Sequence, residues 1–143
     1  MHPTRPPPLH TLPGMTNSHQ YFSGFDDAVG THILEASGDR VVAELRIRPE
    51  HHQPSGIVHG GVHATLVETT ASVGASLWLG EGRHAMGISN HTDFLRPVQE
   101  GTLRVVAEPI QRGRTMQLWQ VSITDEQRRP IAAGRVRLFN SSG

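Results

Sequence analysis

The apolar and polar residues of the chain recur at two different spacings, one typical of strands and one typical of a helix. Residues 40–48 alternate between apolar and polar side chains, which indicates a half-buried β-strand. Residues 60–79 instead carry apolar side chains at steps of three and four, the spacing of an amphipathic α-helix. This stripe predicts one long helix, and its members are Val62, Leu66, Val73 and Leu77.

Strand-like runs before and after this helix predict the rest of the fold. The predicted strands cover residues 31–36, 40–48, 84–95, 102–111, 115–124 and 130–139. The connectors at residues 112–114 and 125–129 are short enough for β-hairpins, which implies an antiparallel sheet. Since one long helix must pack on that sheet, the sequence predicts an α+β fold. A single helix covers only one face of the sheet, so we expect the chain to self-associate.

The beginning of the chain has a different composition from the rest. Five of the ten prolines fall within the first 17 residues, which contain little to bury. Such a composition favours a flexible or polyproline-like segment. We predict a flexible tail at residues 1–19 and a single domain at residues 20–143.

Composition narrows the possible partners. The 143 residues include thirteen basic and thirteen acidic ones, and a net charge of zero gives no attraction to nucleic acid or an anionic membrane. The absence of cysteine excludes disulfides, thiolate metal sites and a cysteine nucleophile. No apolar run reaches the roughly 20 residues of a membrane helix, and the start lacks the apolar core of a secretion signal. We expect a cytoplasmic protein without membrane or nucleic-acid partners.

The stretch HGGVHATLVE, which begins at His59, has features that helix stability alone does not explain. Gly60 and Gly61 are poor helix formers at the helix start, and Glu68 is a carboxylate in an otherwise uncharged segment. At about 100° of rotation per residue, three small or polar residues fall within roughly 60° of Glu68 and away from the apolar stripe. They are Gly61, Thr65 and Ser72.

This polar face could carry an acyl-transfer site. A helix N-terminus offers unpaired N–H groups and the positive end of the helix dipole, which suit a developing oxyanion. Glycine at that point lets a ligand carbonyl approach the backbone, and Glu68 could attack the carbonyl carbon or activate water. The alternative is that the glycines serve packing and that Glu68 is a solvated surface group.

Histidines and arginines suggest two further sites. His59 and His63 have the spacing of two metal ligands on one helix, but Glu68 lies far around the helix from both, so we expect no metal. We predict instead that His59 orients the loop or the helix start. Arginines around a tight glycine turn, with one more in the FLRPV segment, could bind phosphate groups, although a solvated hairpin tip is the alternative. These residues are Arg96, Arg112, Gly113 and Arg114.

Together these segments resemble the hotdog-fold acyl-CoA thioesterases over residues 20–139. The matching motifs are QPSGIVHGGVHATLVETTAS, GISNHTDFLRPV and EPIQRGRTMQLWQVSITDE. The most similar branch contains the phenylacetate-pathway type, Glu-type 4-hydroxybenzoyl-CoA and 1,4-dihydroxy-2-naphthoyl-CoA thioesterases. The resemblance implies a curved antiparallel sheet wrapped around one long central helix. It also implies hydrolysis of a coenzyme A thioester without a bound cofactor, coenzyme A being part of the substrate.

The resemblance implies a catalytic role for five residues. Glu68 would be the nucleophile or the general base, and the Gly60 N–H would polarise the thioester carbonyl. Gln53 would position the water or the carboxylate across the site. His59 would support the thioester-binding end, and Ser72 would place a hydroxyl one turn beyond the carboxylate.

Other positions would bind the substrate. We predict substrate or coenzyme A binding at three residues of the matching motifs, namely Gly61, Thr65 and Asn90. The nucleotide of coenzyme A would lie along the arginine segments, at Arg96, Arg112, Gly113 and Arg114. Phe94 stands where the naphthoyl-CoA enzymes look to have a histidine, so the resemblance does not imply that particular substrate.

Two other functions stay open at this point. One is a non-catalytic acyl-CoA-binding or sensing module with the same fold, and the other is a hotdog dehydratase, which would use a histidine paired with an acid. For the thioesterase we expect an aromatic or medium-length acyl group. We also expect a homotetramer built from two dimers, with Gln53 acting across the dimer interface.

Overall fold

The computed structural model describes residues 24–142. The tail predicted at residues 1–19 lies outside this range. Within residues 24–142, the chain forms two α-helices, one 3₁₀-helix and six strands. In chain order they are α1 (Phe25–Val29), β1 (His32–Ala36), β2 (Val41–Arg46), the 3₁₀-helix (Pro49–His51), α2 (Gly60–Leu79), β3 (Ala85–Phe94), β4 (Thr102–Arg112), β5 (Met116–Thr124) and β6 (Pro130–Asn140). The bounds of α2 are those predicted, and each predicted strand is present within one or two residues of its expected ends. No helix of the described range is both long and apolar enough to cross a membrane.

All six strands form one antiparallel sheet, which confirms the predicted α+β hotdog architecture. The strand order is β1-β2-β4-β5-β6-β3, and every neighbouring pair is antiparallel. The sheet curves around α2, which contacts all six strands. Strand β3 follows α2 directly but lies at the edge of the described sheet, where β6 is its only partner among the six strands.

The buried face of α2 is wider than the predicted apolar stripe. Leu66 and Val73 are buried as predicted, whereas Val62 and Leu77 are only partly buried. Several residues outside the stripe are buried as well, because a sheet that curves around a helix contacts more than one face; they are His63, Val67, Thr70, Ala71, Gly74, Ala75 and Ser76.

Close packing explains one of the small residues on this face. A Cβ atom at Gly74 would lie 2.5 Å from the ring of Trp119, which is itself completely buried. Any side chain at this position would therefore push the helix away from the sheet. The mixture of small and large residues lets α2 pack closely against the curved face of the sheet and leaves only one flank of the helix exposed.

Candidate active site

The first two backbone N–H groups of α2 differ in whether they donate a hydrogen bond within the described chain. His59 is the N-cap residue, and its Nδ1 accepts a hydrogen bond from the Gly61 N–H at 2.8 Å. This cap agrees with the predicted role of His59 in orienting the helix start. Within residues 24–142 the Gly60 N–H donates to no protein acceptor. Gly60, rather than Gly61, therefore has the N–H that is available to a ligand oxygen.

An aromatic ring lies directly over Gly60. A Cβ atom at this position would approach the ring of Phe94 to 2.7 Å, so a side chain at position 60 would displace the ring. Phe94 is 61% exposed, which is unusual for a residue of its size and leaves most of the ring open to a ligand or another chain. The glycine thus allows an apolar ring to lie beside an available N–H.

His63 lies on the sheet side of the same helical turn. It is 4% exposed, its ring centroid is 6.0 Å from that of Phe94, and its Nδ1 is buried without a hydrogen-bond partner among the described residues. Burial lowers the pKa of the His63 imidazole because the charged form would lose its hydration. No group of three or more potential metal ligands occurs within residues 24–142.

The buried histidine makes stability depend on pH in a defined direction. Below about 6.5, the ordinary histidine pKa, the unfolded chain takes up a proton at His63 while the folded chain does not. The free energy of unfolding should therefore fall as the pH decreases from this value to the lowered pKa, by at most about 1.4 kcal/mol per pH unit. Urea denaturation across this window should show a weaker pH dependence for His63→Leu. The exposed His84→Leu should keep the wild-type dependence, and an unchanged slope in His63→Leu would contradict this assignment.

Glu68 lies on the exposed flank of α2, beside the edge strand β3. Its carboxyl carbon is 3.7 Å from the position that a Cβ atom of Gly87 would occupy. The carboxylate opens into a pocket of about 250 Å³ between α1, α2 and β3. Its lining residues are Phe25, Asp26, Ala64, Thr65, Glu68, Thr69 and Asn90. The structure thus brings together three of the predicted site residues, Thr65, Glu68 and Asn90.

Hydrogen bonds hold the walls of this pocket in place. The Asn90 amide donates to the Ala64 carbonyl at 3.0 Å and ties β3 to α2. The Thr65 hydroxyl donates to the Gly61 carbonyl at 2.8 Å. On the opposite wall the Thr69 hydroxyl donates to Asp26 Oδ1 at 2.6 Å.

Sequence reasoning missed Phe25, Asp26 and Thr69. Asp26 and Thr69 are 43 residues apart, and no local spacing links a short N-terminal helix to the flank of a later one. The only indication of this contact in the sequence was Thr69, a polar residue among the apolar residues of α2.

Gln53 and Ser72 do not line the pocket of Glu68. Gln53 precedes α2, and its side-chain amide donates to the Ser55 hydroxyl at 2.8 Å. Ser72 is half-buried one turn beyond Glu68. The available N–H is also distant, since eight residues of helix separate Gly60 from Glu68 by about 12 Å along the axis. A glutamate side chain spans less than half of that, so both groups of one chain cannot reach the same carbonyl.

Arg112 is engaged within its own chain. It donates to the Gly38 carbonyl and to Asp39 Oδ1, both at 2.7 Å, and its guanidinium stacks over Trp78 at 5.4 Å. This site lies near the end of α2, far from the free N–H at its start. Its guanidinium is thus paired within the chain, and a phosphate-binding role for Arg112 stays a prediction.

In the rest of the predicted nucleotide site, Gly113 shapes the turn, and the two other arginines have no side-chain partner in the described part of the chain. Gly113 closes the β4–β5 turn through its N–H bond to the Met116 carbonyl at 2.8 Å. Arg96 and Arg114 are exposed, and neither guanidinium has a hydrogen-bond or ion-pair partner within residues 24–142. A phosphate-binding role stays a prediction for these two arginines.

Comparison with known proteins places this geometry in a family. A sequence model of the thioesterase superfamily matches residues 55–132. The protein named "Putative esterase Rv1847" of Mycobacterium tuberculosis is 44% identical over 119 residues, which are 81% of this chain and 85% of that protein. Its solved structure superposes with a TM-score of 0.81, covering 83% of this chain and 97% of the other.

Two further relatives extend the comparison. The 1,4-dihydroxy-2-naphthoyl-CoA hydrolase of Listeria monocytogenes is 30% identical over 112 residues, covering 78% of this chain and 91% of that protein. The crystal structure of AziG from S. sahachiroi has a TM-score of 0.81 at 40% identity, with 82% and 96% of the two chains covered. The chain belongs to the thioesterase superfamily, and it is a thioester hydrolase with the hotdog fold.

Proposed function

We propose that this enzyme hydrolyses acyl-coenzyme A thioesters at a site shared by two subunits. The observation that carries the proposal is the separation of its two reactive groups: the available Gly60 N–H lies about 12 Å along the helix from Glu68. A two-fold dimer that places the helix start of one subunit against the Glu68 flank of the other would bring them together, twice per dimer.

In this arrangement the thioester carbonyl oxygen accepts a hydrogen bond from the Gly60 N–H. One such donor is typically worth a factor of about 10² to 10³ in rate. The partner's Glu68 either attacks the carbonyl carbon, which gives a mixed anhydride, or takes a proton from a water molecule that attacks instead. In both routes the carbon–sulfur bond breaks and coenzyme A leaves as the thiol. In the first route a water molecule then hydrolyses the anhydride, so that both routes give the free acid and return Glu68 as a carboxylate. Gln53 would hold the attacking water or the carboxylate from the side of the helix start, and no bound cofactor is required.

The edge strand β3 supports this mode of dimerisation. Its ten residues are mostly exposed, and one of its edges pairs with no other strand within residues 24–142. That edge could form a ladder with the same strand of another chain. Three apolar side chains on it, Met86, Ile88 and Phe94, are 47%, 56% and 61% exposed. Glu68 opens beside this strand, so pairing there would cover the pocket and exclude water. We propose the dimer as the active unit and its further pairing to a homotetramer, in the cytoplasmic location expected from the sequence.

The name of the Listeria relative, a coenzyme A hydrolase, supports coenzyme A as the thiol to which the acyl group of the substrate is bound. The apolar rings of Phe25 and Phe94 near the two halves of the site favour an aromatic or medium-length acyl group.

A panel of acyl-CoA thioesters, followed by the release of free thiol, tests the activity. We expect hydrolysis of at least one aromatic or medium-length thioester. Binding of these compounds without thiol release would instead indicate an acyl-CoA-binding module. Hydration of an enoyl-CoA without thiol release would indicate a dehydratase.

The exposed arginine of the β4–β5 turn provides a separate test of coenzyme A recognition. Arg114→Ala should raise KM for coenzyme A thioesters about tenfold, since a charge-assisted hydrogen bond to phosphate would be lost. The corresponding N-acetylcysteamine thioester lacks the nucleotide, and its KM should not change. Arg104→Ala, an exposed arginine on β4, serves as the control. An equal loss on both substrates would show damage to the turn rather than loss of a phosphate contact.

A further inference from the structure

Two buried amide side chains link α2 to the β4–β5 turn. Gln117 and Asn140 are 1% and 4% exposed, and an amide at such a depth is costly unless it is fully hydrogen-bonded. The Gln117 Nε2 group donates to the Ala75 carbonyl of α2 at 3.1 Å and to Asn140 Oδ1 at 2.9 Å. The Asn140 Nδ2 group donates to the Gly113 and Arg114 carbonyls, at 2.8 and 3.2 Å. Both side chains therefore use both of their amide hydrogens.

The indole of Trp119 fixes the orientation of both amides. Trp119 is completely buried, and its Nε1–H, which can only donate, bonds to Gln117 Oε1 at 2.8 Å. The Nε2 group of Gln117 must then face Asn140, and Asn140 must present its oxygen to Gln117 and its Nδ2 group to the turn. Any other assignment would set donor against donor or acceptor against acceptor. Since Trp119 also packs against α2 at Gly74, the turn is oriented from the core of the domain.

Asn140 sets the direction of three successive carbonyls in the turn. Its side chain binds those of Gly113 and Arg114, and its backbone N–H donates to that of Thr115 at 2.8 Å. In a trans peptide the N–H of the next residue points away from the carbonyl. The N–H groups of Arg114 and Thr115 therefore point away from Asn140, on the exposed side of the turn. Neither of them donates to an acceptor in the described part of the chain.

The exposed side of this turn thus offers a ligand three kinds of donor close together. They are the N–H groups of Arg114 and Thr115 and the guanidinium of Arg114, which has no partner among the described residues. Successive backbone N–H groups that point the same way form an anion-binding concavity. An arginine fork complements phosphate oxygens in addition.

We propose that Asn140 is a positioning residue for coenzyme A: together with Gln117 it holds the β4–β5 turn so that the donors of Arg114 and Thr115 face one phosphate group. Asn140 itself does not touch the substrate. Because the donors are held in place before binding, less ordering is required when the phosphate arrives. This assignment rests on the proposed thioesterase function and adds to it the buried residues that shape the phosphate-binding turn.

The variant Asn140→Asp tests the positioning role with almost no change in shape. The carboxylate keeps the oxygen that accepts from Gln117, but it sets its second oxygen against two carbonyls of the turn. We expect KM for a coenzyme A thioester to rise at least about tenfold, as for the loss of one charge-assisted hydrogen bond. The kcat and KM for the N-acetylcysteamine thioester, which lacks the nucleotide, should not change.

Two comparisons separate positioning from a general structural role. Ser76→Ala removes another buried hydrogen bond of α2, which Ser76 Oγ accepts from the Ala85 N–H, and should leave the KM ratio of the two substrates unchanged. In the Asn140→Asp background, Arg114→Ala should raise KM much less than its about tenfold effect in the wild type, because the side chain has already lost its orientation. Multiplicative effects of these two changes, or an equal loss on both substrates, would overturn the assignment.

Backbone amide resonances of the wild-type protein give a measurement that depends neither on the folding of a variant nor on turnover. Adenosine 3′,5′-diphosphate, which represents the nucleotide end of coenzyme A, should shift the N–H resonances of Arg114 and Thr115. Pantetheine, which lacks the nucleotide, should not shift them. If the nucleotide binds without moving these resonances, the positioning role is wrong.

The same measurements separate this assignment from the proposed chemistry. If no thioester is hydrolysed but the nucleotide shifts both resonances in the wild type and not in Asn140→Asp, the catalytic proposal fails and the positioning role stands. If hydrolysis occurs and neither the KM ratio nor the resonances respond, the positioning role fails alone.

Discussion

Replacement of Glu68 by glutamine is expected to lower kcat on the best thioester by at least about 100-fold, the lower range for losing acid–base assistance. Glutamine has nearly the same shape, but it is neither a nucleophile nor a base at neutral pH. Since the side chain lies on an exposed flank of α2, folding and KM should change little. Steady-state kinetics with thiol detection, together with thermal unfolding, measure both effects.

A control variant shows whether the loss is specific to this carboxylate. Glu100→Gln removes an exposed glutamate outside the pocket of Glu68 and should retain wild-type kcat. Near-wild-type turnover in Glu68→Gln would rule out both the anhydride and the general-base routes. A loss that appears only as a raised KM would show that Glu68 binds the substrate without reacting.

Subunit exchange between two impaired variants is expected to restore activity. If Gln53 and Gly60 of one subunit act with Glu68 of the other, a mixed dimer of Gln53→Ala and Glu68→Gln has one intact site. Random exchange makes half of the dimers mixed, so the mixture should reach about a quarter of wild-type activity. The assay follows thiol release after the two proteins are mixed under exchange conditions.

The control for this experiment pairs two variants with the same defect. Mixing Glu68→Gln with Glu68→Ala leaves no intact site and should restore nothing. Failure of the first mixture despite proven exchange would contradict the shared site, and so would a stable, active monomer by light scattering. The same light-scattering measurement reports whether dimers pair further into tetramers.

The part of the site that could be predicted from the sequence is the part that lies on one helix. Gly60, Gly61, Thr65 and Glu68 are arranged by the rotation per residue of α2, which is a property of the backbone. The predicted bounds of α2 and of the strands were confirmed for the same reason, because alternation and three-to-four spacing report which side of a local element is buried. The width of the buried face was underestimated, since it depends on how far the sheet curves around the helix.

Contacts between distant segments could not be read in this way. Arg112 illustrates the limit, because no local pattern in the sequence indicates its pairing with Asp39, 73 residues away. The hydrogen bond from Thr69 to Asp26 on α1 and the ring of Phe94 over Gly60 have no local pattern either. Each depends on which strands and helices become neighbours.

The sequence by itself determined the secondary structure, the hotdog architecture and the helix that carries Gly60 and Glu68. Only the tertiary structure decided that β3 is an edge strand, that Asp26 faces the pocket of Glu68 and that the Gly60 N–H is available while that of Gly61 is capped by His59. The physical reason is the range of the interactions: periodicity reflects backbone geometry over a few residues, whereas the order of strands in a sheet and the contacts between helices are fixed by the packing of the whole chain.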